Sequence, residues 1–302
     1  MFCSMLKTGW LIFRQYFDLL INFLFGLYWT ERQVVPDLDK KHNLLTKSAI
    51  TLAKDIREKR LKSEDLVSAC IERIKLVNPI LNAVTDQRYE AALEEAREVD
   101  KKIEAGLSDE EFQRKPFLGV PFTAKESHGV EGMLYTFGIL SRRHVRAPCD
   151  AECVRLLREA GAIPVAVTNV PEINKWQETN NMLFGLTKNP YHTGRTTGGS
   201  SGGEAALMAA MATPISLCSD IGGSTRMPAF FCGLFGYNPT ANVTSLKGKC
   251  YTSKLSMYGY GQGSTAQLQW EITMKFIPIC QKVTPPLLVS KTTFIYSHNE
   301  FQ

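Results

Sequence analysis

Apolar positions dominate the start of the chain. From Gly9 to Trp29 the sequence GWLIFRQYFDLLINFLFGLYW is apolar and aromatic, with Arg14 and Asp18 its only charges. Trp10, Tyr28 and Trp29 stand at its ends, where amphipathic rings favour a membrane interface. The uncharged run Leu19 to Trp29 is 11 residues long, about half of the roughly 20 needed to span a bilayer. Arg14 and Asp18 are four apart, so on a helix they pair on one face and cost less in an apolar phase. No small-x-small cleavage site follows, the next residues being Thr30, Glu31, Arg32 and Gln33, which argues against a removed signal peptide. Residues 1–30 are expected to be a retained hydrophobic anchor, lying in or crossing an intracellular membrane, and residues 31–43 a polar linker.

The next hundred residues change period. Leu45, Ala49, Leu52, Ala53 and Ile56 recur at helical spacing over 44–60. Ser63, followed by Glu64 and Asp65, reads as the N-cap of a second helix that stops at Asn78-Pro79. A third runs from Arg88 to Ala105 and closes at Gly106. Beyond Phe117 the pattern shifts to short apolar runs bounded by Gly, Pro and polar residues: FLGVPFTA, IPVAVTN from Ile163 and ISLCSD from Ile215. These predict buried strands, and the helical stretches 151–160 and 203–212 alternate with them. The fold class is therefore α/β, a sheet covered by helices on both faces. Residues 251–302 show no order that phases with what precedes and are set apart as an atypical tail; over 241–302 there are six lysines and two glutamates, with no arginine or aspartate.

Composition narrows the field modestly. With 44% hydrophobic and 22% charged residues in 302 and a formal charge of +5, the chain is ordinary globular material, and no basic, aromatic-interleaved run suggests a nucleic-acid partner. The eight cysteines lack metal-ligand spacing and read as free thiols. Neither a metal nor another cofactor is expected, and a homodimer is left open.

Candidate chemistry lies in two glycine-flanked serines. Gly198-Gly199-Ser200-Ser201-Gly202-Gly203 precedes the helix former EAALMAAMA, and Asp220-Ile221-Gly222-Gly223-Ser224-Thr225-Arg226 follows. Such glycines let backbone N–H groups approach a ligand, as in an oxyanion hole or a phosphate cradle. A phosphate loop would need Lys where Glu204 stands, and that carboxylate would repel phosphate. Taken alone, GGSSGG also has the composition of a flexible linker. Lys125 decides against that reading: it ends the apolar run 118–124, where an ammonium is costly and a neutral amine is a general base. Bringing a lysine from about 10.4 to near 7 takes about 4 kcal/mol of environment. Five histidines are present, but GGSTR is not the GxSxG of Ser-His-Asp hydrolases; His128 is expected at the surface or behind the site.

PFLGVPFTAKESHGVEGM, GGSSGGEAALMAA and LCSDIGGSTRMPAFFCGLFGYNPT resemble the three hallmark blocks of the amidase signature family, over residues 44–248 and most nearly its fatty-acid amide hydrolases. The resemblance implies an amidase-signature domain over 44–250 with a mixed sheet, incomplete at its C-terminal end, and a Ser-Ser-Lys triad. In that scheme Ser224 is the nucleophile, Lys125 the base and Ser200 the proton relay, held after a cis Gly199-Ser200 bond. Ile221, Gly222, Gly223 and Ser224 would supply oxyanion-hole N–H groups, with Asp220 and Arg226 paired behind the turn. The implied substrate is an amide, a lipid amide given the apolar N-terminus. Two alternatives stay open: an amidase or amidotransferase subunit for a small polar amide, and an inactive membrane-associated protein.

Overall fold

The structure, a computed structural model, describes residues 2–28, 33–238, 263–268 and 293–295. It divides into two compact units, Met1–Gln33 and Val34–Gln302. The first is one helix, α1 (Phe2–Tyr28). Its 27 residues measure about 40 Å at 1.5 Å per residue. The section Met5–Leu27 is long and apolar enough to cross a membrane. Arg14 and Asp18 pair across one turn at 3.7 Å, so the charges that divide the apolar run are matched on one face.

In the second unit the helices follow the apolar period, with ends set by side-chain acceptors. Ser48 caps α2 (Ala49–Arg57) by accepting from Thr51 N. α3 (Ser63–Leu81) starts where expected, but Ser63 is not its cap. Asp100 of α4 (Tyr89–Glu104) reaches over and accepts from Ser63 N and Glu64 N at 2.7 and 3.0 Å, supplying a carboxylate to the first turn from a different helix. Nor does Asn78-Pro79 stop α3. Pro79 sits in the last turn, and the helix ends at left-handed Asn82, with Asn78 Oδ1 accepting from Ala83 N and Val84 N at 2.9 Å each. Leu66, Cys70, Ile74, Val77 and Leu81 then form one buried stripe. A short helix α5 (Asp109–Arg114), opened by the reciprocal Ser108–Glu111 capping box, follows α4.

Among the described residues, seven strands form one mixed sheet in the order β1-β3-β2-β4-β6-β5-β7. They are β1 (Val84–Gln87), β2 (Pro121–Lys125), β3 (Ile163–Thr168), β4 (Ser216–Asp220), β5 (Phe235–Asn238), β6 (Gly263–Leu268) and β7 (Thr293–Ile295). β3, β2 and β4 are parallel neighbours, and β1 joins β3 antiparallel. β2 and β3 are buried at every position, as strands covered by helices on both faces must be. That is why their sequences read as continuous apolar runs. α6 (Glu152–Glu159), α7 (Gly202–Ala209) and α8 (Arg226–Phe231) complete the helices. β6 and β7 come from the segment set apart as a tail; β6 pairs antiparallel with β4 and β5, and β7 with β5. The rest of 251–302, and 239–250, lie outside the described residues.

Candidate active site

Three parallel strands end together, and the candidate residues lie where they end. Lys125 closes β2, Thr168 closes β3 in register with it, and Asp220 closes β4. The loops beyond the carboxyl ends of parallel strands form the usual crevice of an α/β sheet. Here the Gly198–Gly203 loop runs into α7 and the 220–226 turn runs into α8.

Lys125 is fully buried, and its Nζ donates to Ser200 Oγ at 2.7 Å and to Ser219 O at 3.3 Å. Ser200 is buried as well and follows a cis peptide bond from Gly199, as the resemblance implied. The loop holding it is braced from outside. Thr179 Oγ1 donates to Gly198 O at 3.0 Å and accepts from Gly202 N at 2.9 Å, bridging its two ends. Glycine is required for the close approach: a Cβ on Gly199 would lie 2.4 Å from Trp176 O, and one on Gly203 2.6 Å from Asn169 N.

Ser224 sits on the other loop, half-buried, and its carbonyl accepts from Ser201 N at 3.1 Å. The structure thus joins Lys125 and Ser200 side chain to side chain, and ties the Ser224 backbone to the residue after Ser200. Ser201 Oγ donates to Ser219 O at 3.5 Å, within the same loop contact.

The Asp220–Arg226 pair forms as expected, with Nε to Oδ2 and Nη2 to Oδ1 both at 2.9 Å. Asp220 also accepts from the N–H groups of Gly223 at 2.6 Å, Thr225 at 3.1 Å and Arg226 at 3.2 Å. Burial pushes its carboxyl up, but the guanidinium and these N–H donors outweigh burial and hold it below the usual carboxylate range. One consequence departs from the sequence expectation. Gly223 N–H, counted there among the oxyanion donors, is directed at Asp220 Oδ1, because the carboxyl fills the inside of the turn. Ile221 and Gly222 lie exposed on its outer side.

Three buried neighbours complete the surroundings. Of its two expected placements His128 takes the one behind the site, buried with Nδ1 3.3 Å from Lys125 O. Glu126 is buried and accepts from Thr136 N and Oγ1 and from Phe137 N, fixing the loop after β2. Glu204, read only as hostile to phosphate, is buried beneath the site and accepts from Thr123, Thr168 and Ser216. A carboxylate directly after a glycine loop and before an apolar helix face was the available signal.

Comparison with known proteins identifies the family. A family model described as Amidase matches residues 65–262. Fatty-acid amide hydrolase 2-A of Danio rerio is 46% identical over 208 residues, 68% of this chain and 39% of that protein. Fatty-acid amide hydrolase 2 of Homo sapiens is 45% identical over the same shares. The solved structure of a fatty acid amide hydrolase superposes with a TM-score of 0.72 at 25% identity, covering 82% of this chain and 42% of that one. The chain spans about 39% of the length of these curated relatives. By family match and by fold, this chain belongs to the amidase family.

Proposed function

We propose that the chain carries the nucleophile, relay and base of a serine amidase that hydrolyses fatty-acid amides at a membrane. The observation behind this is the 2.7 Å contact between the fully buried Lys125 amine and the Ser200 hydroxyl. Its reach and surroundings suit a base that works through a hydroxyl. Neutral Lys125 takes the Ser200 proton while Ser200 takes that of Ser224, and Ser224 Oγ attacks the amide carbonyl. The oxyanion is met by the N–H groups of Ile221, Gly222 and Ser224, with Gly223 held inward by Asp220 to keep the turn rigid. Donors of this kind are worth about 3 kcal/mol each. The proton returns through Ser200 to the leaving amine, and water then attacks the acyl-enzyme by the same relay.

The substrate class is argued from apolar surface. Ile221, Phe230 and Phe231, on and just after the nucleophile turn, are 51%, 54% and 44% exposed and offer contact to an acyl chain. α1 gives the chain a means of residing where such lipids partition. The full chain in detergent is expected to hydrolyse a long-chain primary amide and to leave acetamide nearly untouched. Ser224→Ala should lower the rate by roughly four orders of magnitude. Equal rates on both amides would remove the lipid assignment, and an undiminished S224A rate would remove the mechanism.

A further inference from the structure

Glu204 is a buried ionisable group that the mechanism above leaves without a task. Its carboxyl joins three adjacent strands: Oε2 accepts from Thr123 Oγ1 of β2 at 2.6 Å and from Ser216 Oγ of β4, and Oε1 accepts from Thr168 Oγ1 of β3 at 2.7 Å. Thr123 and Lys125 are two apart on β2 and so share a face of the sheet. Thr168 stands in register with Lys125. Glu204 itself lies in the first turn of α7, four residues after Ser200 of the preceding loop. The carboxyl therefore lies against the face from which Lys125 projects, and its hydrogen-bonding partners are hydroxyls.

We propose that Glu204 is a positioning residue that sets the proton affinity of Lys125 by its charge, while its three hydroxyl contacts align the strand ends that carry the site. The inference rests on Lys125 being the base. An ionised carboxyl in this low-dielectric layer favours the ammonium form and holds the base back; a neutral one releases it. Burial pushes the Glu204 carboxyl up, with the Ser216, Thr123 and Thr168 hydroxyls and Lys125 pulling the other way, leaving it at about 7. It therefore changes charge in the range where the base must work.

The other charged or titratable groups around this layer are otherwise engaged. On β4, the Cys218 thiol is pushed up to about 12, chiefly by burial, and stays neutral. Asp220 is paired with Arg226 of α8. After β2, Glu126 is taken up by Thr136 and Phe137, and His128 lies against Lys125 O. From α3, Arg73 donates to Ala210 O and Cys70 to Ala212 O, past the far end of α7.

The test is the pH profile of fluorophosphonate labelling by the full chain in detergent, with melting temperature measured alongside. Glu204→Gln keeps the shape and hydrogen-bonding reach but removes the charge. Its acid limb should move down by up to about one pH unit, making labelling up to about tenfold faster than wild type at a fixed pH on the part of that limb above about 7, where wild-type Glu204 is ionised. Folded E204Q with an unmoved limb overturns the inference and leaves the proposed function standing. Wild-type protein that never labels overturns the function and the inference together. Should E204Q fail to fold, Thr168→Val removes one donor to the ionised carboxyl; the limb should move in the same direction by less, and an unmoved limb again overturns the inference.

Discussion

The two serine loops are held in opposite ways. The Ser200 loop is buried and stitched to its surroundings: Lys125 grips the hydroxyl, Thr179 bridges the loop ends, and Gly199 and Gly203 lie so close to neighbouring backbone that no Cβ fits. The Ser224 turn is held from beneath by Asp220 and tied to the other loop through Ser224 O, and its outer residues face solvent, with nothing within 4 Å of a Cβ at Gly222. The contrast separates two jobs. A base and a relay need fixed distances and exclusion of water, whereas a nucleophile turn must leave room for the substrate it attacks.

Substitutions on either side should test this contrast in a definite order. Gly203→Ala is expected to be the most damaging, since its methyl would meet Asn169 N at 2.6 Å and Ala83 O at 2.9 Å. Backbone does not yield as a flexible side chain does, and overpacking of this kind costs about 1–3 kcal/mol or more, seen as a melting temperature lower by several degrees. Asp220→Asn should fall next. It removes the charge facing Arg226, which is 26% exposed, and weakens the acceptor for the turn. About 1–2 kcal/mol of stability and a slower labelling rate are expected, both read in one experiment. Gly222→Ala should change stability by less than about 0.5 kcal/mol. A large loss of melting temperature in G222A would show that the outer turn is as tightly packed as the Ser200 loop and would end the distinction drawn here.

Legibility in the sequence followed the same division. β2, β3 and β4 were readable because strands buried on both faces need continuous apolar runs, α2 because its apolar residues recur at helical spacing, and α4 and α7 because they are rich in helix formers. β1 was missed, being four residues long and only half-buried, and so lacking either a run or an alternation. α3 ran past Asn78-Pro79 because its end is set by left-handed Asn82 and by the Asn78 side chain, local capping features that the apolar pattern does not carry. At the site, Lys125 stood out as a charged residue ending an apolar run, and Ser200 and Ser224 as glycine-flanked serines whose roles came with the family resemblance. Glu204 did not, because its meaning depends on hydroxyls at 123, 168 and 216, each far from it in sequence. The inward turn of Gly223 N–H was likewise invisible, since it needs the Asp220 carboxyl to be folded beneath the turn.

The most direct test of the account is to locate the covalent adduct. After reaction of the full chain with a fluorophosphonate, peptide mapping by mass spectrometry should find the phosphonyl group on Ser224, and Lys125→Met should slow its formation by roughly three orders of magnitude or more. An adduct on Ser200 or Ser201, or one on Ser224 that forms as fast without Lys125, would contradict the account.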